Sequence, residues 1–446
     1  MSNAYSRRSF LKMAAAAGVG GALAACAPVA VAPGGEAAPG SQEKLVRILM
    51  PSWATAEIPY DTTAREFNEI NPGTVVQIQT TSEGWETKVM SQIADGSLEW
   101  CGAGIASSAS SSLPRWILTG MVQPMDDLFA ASSVEGADQL LDDLLPVLRT
   151  ASTHEGKFYG LPYSFENISF NWRTDYFAAV GADAPPATLD EWLEVARELK
   201  AWGADEQIYP TSFIPDLDAS VGSMIYGSTT EPFGDDMLLK WESDEAIYAL
   251  AFYRQMVLEE ELTPPHGFDG WLDAYYAGKV ASVQAQSSRG VWGQLAFGTE
   301  AVTTSPVPVR AAENSGTPFW GNCVGLLTGA PYPQEAADYF VYTMGPQNDT
   351  FQKTVIRTGK TPVYQSAYDN IINGDPQFRT YGWMNDMRDQ VERSVIRPFN
   401  NYFAIQDTHY RNYIVQLVEP GSTMTPEECA KAILEASQEE ISKQQV

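Results

Sequence analysis

The residues of this 446-residue chain best suited to chemistry are flat rings and short polar side chains, rather than catalytic pairs. It holds 12 tryptophans and 20 tyrosines, enough to supply several ring platforms. A ring face stacks on apolar C–H surface, while carboxylates, amides and hydroxyls bond to a polar rim. Trp53 and Trp85 follow apolar runs that read as strands, and Trp320 opens a later one. Each of them suits a ligand platform or ordinary packing. Asn322 either hydrogen-bonds a hydroxyl or closes a turn. Ser107 and Ser108 begin a serine-rich loop, Ser107 to Ser112, that suits ligand contact or simple flexibility. Trp192, Trp202, Trp241 and Trp383 read as helix-packing residues.

Catalysis finds little in the pattern. His154, His266 and His409 are far apart, and no His-x-x-Glu-His spacing occurs. No Gly-x-Ser-x-Gly elbow or phosphate-cradling loop is present. Acid runs such as Asp126-Asp127 and Glu259-Glu260-Glu261 read as solvated helix faces, although a glycosidase would also use a carboxylate pair. The expectation is therefore a non-enzyme with no cofactor and no metal.

The first residues carry a different signal. Ser6-Arg7-Arg8-Ser9-Phe10-Leu11-Lys12 precedes a short run of small apolar residues. That run is too short to span a ~30 Å bilayer core as a helix. A basic start, an apolar middle and a small-residue end describe an export signal, here of twin-arginine type. Leu23-Ala24-Ala25-Cys26 resembles a bacterial lipobox, which makes Cys26 the expected lipidation site. One acyl chain anchors only marginally, so more than one is needed. Residues 27–43, rich in Ala, Pro and Gly, read as a flexible tether.

The formal charge is −28, and removing Arg7, Arg8 and Lys12 with the signal deepens it. This argues against nucleic acid or anionic membrane as a partner, since both need clustered cations. Cys101, Cys323 and Cys429 leave an odd count after Cys26, allowing at most one disulfide. The length exceeds what one core supports, so two domains are expected.

Periodicity supplies the elements. Leu45–Met50 reads as a buried strand, 58–70 as a helix stopped by Asn71-Pro72-Gly73, Val75–Thr80 as a strand and 85–94 as a helix. A strand near Cys101–Ala106 and a helix near Leu113–Leu118 follow. Thr188-Leu189-Asp190-Glu191 is a capping box that starts a helix to about Trp202. Asp244–Leu258 reads as another helix, and Thr425-Pro426-Glu427-Glu428 starts the last one. Alternating strands and helices predict a mainly parallel α/β sheet.

Three segments, in order, resemble the family 1 extracellular solute-binding proteins, the sugar receptors of ABC importers. The first is Gly160-Leu161-Pro162-Tyr163 through Asp175-Tyr176-Phe177, with Ala184-Pro185-Pro186-Ala187-Thr188-Leu189-Asp190-Glu191-Trp192 after it. The second is Ala277-Gly278-Lys279-Val280-Ala281. The third is Trp320-Gly321-Asn322-Cys323-Val324-Gly325 with Gln334-Glu335-Ala336-Ala337. Leu98-Glu99-Trp100-Cys101-Gly102 and Trp172-Arg173 depart from the family pattern.

The resemblance implies a periplasmic-binding-protein-like fold: two α/β lobes joined by a multi-strand hinge, with a ligand cleft between them. It implies residues 1–25 as signal, 26–43 as lipidated cysteine and tether, 44–162 with 286–346 as the N-terminal lobe, and 163–285 with 347–446 as the C-terminal lobe. Crossings are expected near Leu161–Ser164, Val283–Gln286 and Gly345–Asp349. The implied ligand set adds Glu166 at a crossing, Trp292 after the second motif, and Asn400 and Tyr402 in the Arg397-Pro398-Phe399-Asn400-Asn401-Tyr402 loop.

The function so implied is an exported, lipid-anchored and monomeric receptor, on the outer face of the cytoplasmic membrane or in the periplasm. It would deliver a sugar or oligosaccharide to permease subunits of an ABC importer. The rivals are an extracellular glycoside hydrolase lipoprotein, and the same fold binding a non-sugar solute such as a glycerol phosphodiester.

Overall fold

The computed structural model describes residues 43–81, 85–105, 112–265, 270–310 and 316–444, and residues 43–446 form one compact unit. The signal, Cys26 and the tether to residue 42 lie outside the described residues, as do Ser107 and Ser108.

The strands are β1 (Lys44–Pro51), β2 (Thr74–Thr81), β3 (Gly102–Ile105), β4 (Val122–Gln123), β5 (Thr153–His154), β6 (Lys157–Phe158), β7 (Leu161–Arg173), β8 (Ser212–Phe213), β9 (Ser282–Gln286), β10 (Val302–Ser305) and β11 (Phe319–Leu327). The central strands β3 and β7 are buried throughout, whereas the edge strand β2 keeps only Val76 buried. The main sheet runs β2-β1-β3-β11-β7-β9-β8, with β4 added on β11 and β10 on β7. It is mixed rather than mainly parallel. β1 pairs in parallel with β2 and β3, but β11 and β7 run antiparallel to their neighbours. The return strands reverse the direction that periodicity alone suggested.

Strand β7 is the spine of the fold. All thirteen of its residues are buried. Residues 161–167 pair with β11, and residues 168–172 pair with β9. Three of its side chains enter three different apolar clusters. Phe165 joins a first cluster with Ile48, Phe67, Tyr339 and Met387. Phe170 joins a second with Trp192, Trp241, Ile414 and Ile433. Ile168 lies between them with Ala219, Val307 and the edge of Trp320. The result is two α/β lobes sharing one long strand.

The apolar clusters join segments that are far apart in the chain. Residues 351–391, expected with the second lobe, supply Phe351, Val355, Tyr368 and Met387 to the first cluster. β10, expected with the first lobe, pairs with β7 at Phe170–Arg173, on the edge opposite β9. β7 changes partners at Asn167/Ile168, not at Leu161–Ser164. The last connection lies between the helix Met384–Glu392, in the first cluster, and the helix Tyr402–Val418, in the second. Sequence motifs locate strands well but do not reveal which core a following helix joins.

Cys101, Cys323 and Cys429 are all free and buried. Among the described residues, no helix is long and apolar enough to cross a membrane.

Candidate functional site

The shared spine sets the site. β11 enters it at Trp320, paired directly across from Glu166 on β7, and Asn322 pairs with Ser164. Residues directly opposite in an antiparallel pair point to the same face, with Cβ atoms about 5 Å apart. Trp320 and Glu166 therefore share one face at the lobe junction. A register shift follows at Asn322/Cys323, the kind of bulge that re-aims a strand.

Two ion-pair systems flank this face. Glu166 is only 9% exposed, and its Oε2 accepts a 3.0 Å hydrogen bond from Lys360 Nζ, itself buried. Burial alone would raise the Glu166 carboxyl. The Lys360 ammonium, the Ser288 hydroxyl and Arg289 overcome this and hold it below the ordinary carboxylate range.

The second system is built on Asp218. Trp320 Nε1 donates to Asp218 Oδ2 at 2.9 Å, and Arg397 Nη2 donates to Asp218 Oδ1. Arg397 Nε donates to Tyr226 Oη at 3.1 Å, and the guanidinium lies 3.6 Å from the Phe403 ring centre. Despite these donors the Asp218 carboxyl is raised. Burial is the main cause and Asp407 adds to it, against the pull of Arg397 and Trp320.

The turn carrying Asp218 is fixed from the sheet side. Gln284 Nε2, on β9, donates to Ala219 O at 2.7 Å and to Ser220 O at 2.9 Å. Residues Asp218–Gly222 form a single wide helical turn, with Gly222 N donating to Leu217 O at 2.7 Å. Such one-turn widenings often sit at functional sites. A Cβ on Gly222 would lie 2.5 Å from that carbonyl, so glycine is required there.

The connection from Ser394 to Asn401 also touches both lobes. Phe399 stacks on His154 of β5, with ring centres 3.8 Å apart, while Arg397 reaches Asp218 in the second lobe. Asn400 Oδ1 accepts from Tyr402 N at 2.8 Å, and its Nδ2 is buried with no hydrogen-bond partner among the described residues. Tyr402 packs beside Leu238, Ile405 and Ile441.

The structure thus brings Trp320, Glu166, Asn322 and the Asn400 loop to one junction. Asn322 is buried there, its Nδ2 donating to Ser164 Oγ at 3.0 Å. Trp85 lies elsewhere, edge-on against Trp116 in a cluster with Leu49 and Trp100. Trp292 is 39% exposed on the helix Ser288–Phe297. The side chain of Trp53 lies outside what is described. A cavity of about 680 Å³ opens among Phe67, Val134, Tyr342 and Phe351, and none of the junction residues lines it.

Sequence reasoning missed Asp218, Tyr226 and Lys360. The only local signal was Asp216-x-Asp218 in an otherwise apolar stretch, where two acids need partners if buried. Among the described residues, no group of three or more His, Cys, Asp or Glu could hold a metal ion.

The fold and the pattern have close counterparts. Residues 62–380 match the model of the bacterial extracellular solute-binding proteins, and the chain belongs to that family. A lactose-binding protein from Rhizobium radiobacter is 27% identical over 281 residues, 57% of this chain and 62% of that one. The chain thus matches less than two-thirds of that relative's length. The sugar-binding protein MalE from Xanthomonas citri superposes with a TM-score of 0.73 at 17% identity, covering 90% of this chain and 98% of the other. An ABC substrate-binding protein from Listeria monocytogenes in complex with cycloalternan gives 0.72 at 17% identity, covering 90% and 99%.

Proposed function

We propose that this chain is an exported receptor that captures a sugar or oligosaccharide at the Trp320 junction and passes it to the permease of an ABC importer. The observation that carries this is a half-buried indole set between two paired charge systems, Glu166–Lys360 and Asp218–Arg397. A ring beside fixed donors and acceptors suits a ligand with apolar C–H faces and a hydroxyl rim. The names of the relatives support the same ligand class. Lobe closure about β7 and the 394–401 connection would enclose the ligand, as hinged receptors do. Trp292, Asn400 and Tyr402 extend the proposed surface. Lipid on Cys26 would hold the monomer at the membrane.

Charge balance weighs against both rivals. Lys360 and Arg397 are each matched by a carboxylate, which leaves Arg289, beside Glu166, as the cation a phosphodiester would have to use. Asp218 has both oxygens occupied, which ill suits a glycosidase carboxylate.

The test is a thermal-shift screen with lactose, maltodextrins, cyclic glucans and polyols, followed by calorimetry. A ligand at 100 times its Kd stabilises by ~2.7 kcal/mol. One class should raise Tm and survive incubation unhydrolysed. A flat response across the panel, or turnover of the hit, overturns the reading.

A further inference from the structure

Around the turn that presents Asp218 there are three carboxylates and two guanidinium groups. Asp218 is paired with Arg397. Asp407, on the helix Tyr402–Val418, accepts from Leu217 N at 2.9 Å and from Arg411 Nε at 2.8 Å. Arg411 Nη1 is directed to Pro215 O at 3.0 Å. Asp216 is the third acid, and among the described residues its carboxylate accepts only from the Ala219 N–H, at 2.6 Å. Among the described residues no cation pairs with it.

We propose that Asp216 is a proton-operated positioning residue for the Trp320–Asp218–Arg397 node. With its carboxyl protonated, the turn holds Asp218 against Trp320 and Arg397; ionisation sets Asp216 against two like charges and loosens that hold. This concerns the regulation of the junction and rests on reading Trp320 as part of the binding surface.

The groups that face Asp216 all come from packed elements. Asp218 shares its turn, Asp407, Tyr410 and Arg411 come from the helix Tyr402–Val418, and Tyr253 comes from the helix Asp244–Arg254. Arg397 is committed to Asp218 and Tyr226, so it is a remote counter-charge. Burial, then Asp218 and Asp407, push the Asp216 carboxyl up to about 7, against the Ala219 N–H and Arg411. The turn has limited room to relax. Gln284 pins two of its carbonyls, and Ser220 Oγ is held to the Asp216 carbonyl and to Tyr410 Oη. Repulsion between Asp216 and Asp218 is then relieved most readily at the Asp218 side chain, which is what Trp320 and Arg397 grip.

The experiment needs no ligand. The full chain with ¹⁵N-indole tryptophan is titrated by NMR, and the Trp320 signal is assigned by its loss in Trp320→Phe. In the wild type, the Trp320 Nε1–H resonance should move with a midpoint near 7. Asp216→Asn should abolish that movement. Asp407→Asn keeps an acceptor for Leu217 N but removes a like charge and frees Arg411. It should lower the midpoint by ~0.5 pH unit or more. If Asp216→Asn does not fold, the Asp407→Asn shift decides. A Trp320 resonance constant from about pH 5 to pH 9 overturns the proposal. So does a titration that survives in Asp216→Asn or is unmoved by Asp407→Asn. Failure of the sugar panel would leave this titration intact, and failure of the titration would leave the panel result intact.

Discussion

The two charge systems beside Trp320 are made of the same chemical groups, yet they hold protons in opposite ways. Glu166 and Asp218 are both buried, yet the Glu166 carboxyl is depressed and the Asp218 carboxyl is raised, as is that of the half-buried Asp216. Depth does not separate Glu166 from Asp218. What differs is the ratio of cations to carboxylates. Glu166 faces Lys360 directly, with Arg289 behind it. The Asp218 turn crowds three acids against two guanidiniums. In a low-dielectric junction, acids that outnumber their cations are pushed toward the protonated form. The first system is fixed at neutral pH, while the second can respond to it.

The largest test of this contrast is to remove the cation from the fixed side. Lys360→Met strands a buried carboxylate, which typically costs ~3–5 kcal/mol. Because the folded Glu166 carboxyl is depressed, its contribution is present above the unfolded value and lost as pH falls through the folded one. Urea unfolding should therefore show a loss that is larger at about pH 8 than at about pH 3, where the carboxyl takes up its proton. The double variant Lys360→Met/Glu166→Gln should recover most of it. An equal loss at both pH values would mean that Lys360 acts through packing alone.

The acid-rich side gives the opposite sign. The Asp216 carboxyl is raised from 3.8 to about 7 in the folded state. The folded chain then keeps a proton that the unfolded chain releases. That contribution is full below the unfolded value and is lost as pH rises through the folded value. Stability should fall as pH rises from about 4 to about 7, and Asp216→Asn should flatten the curve. The variant should be more stable than the wild type at about pH 8, on the order of 2 kcal/mol. A variant that is less stable than the wild type at every pH would mean that the carboxylate is needed for the turn and is not a liability.

These systems were mostly invisible in the sequence. The near neighbours were legible: β1 and β2 fall within a residue of the apolar runs, and Thr188 caps its helix through Glu191 as the spacing predicts. Trp192 and Trp241 are buried, whereas Trp202 is 42% exposed and lies against Tyr176. Periodicity reports a local face, and burial of that face follows from local pattern. Ion pairs carry no such pattern. Lys360 meets Glu166 across 194 positions, and Arg397 meets Asp218 across 179. Only the path of β7 and the 394–401 connection bring them together. Trp320 and Glu166 stand out in the sequence because a family motif marks their strands, and the register pairs them.

Trp320 belongs to both sides of the contrast, through its strand partner Glu166 and its indole bond to Asp218, so its variants separate stacking from positioning. Trp320→Ala removes the ring and the donor together. Affinity for the ligand found in the sugar screen should fall by ~2 kcal/mol, roughly 30-fold. Trp320→Phe keeps a ring but gives up the Nε1–H to Asp218, one hydrogen bond to a charged group. Its loss should be smaller, ~1 kcal/mol or about fivefold, and should grow at low pH. The pH dependence follows from the wild type alone gaining a well-held Asp218 when Asp216 is protonated. Calorimetry at two pH values, beside melting curves, reads both effects. If Trp320→Phe binds as the wild type does at both, the indole N–H is spent on the fold and only the ring faces the ligand. If Trp320→Ala melts far lower but binds normally once folded, the ring is packing, and the surface must be sought at Trp292 and Tyr402 instead.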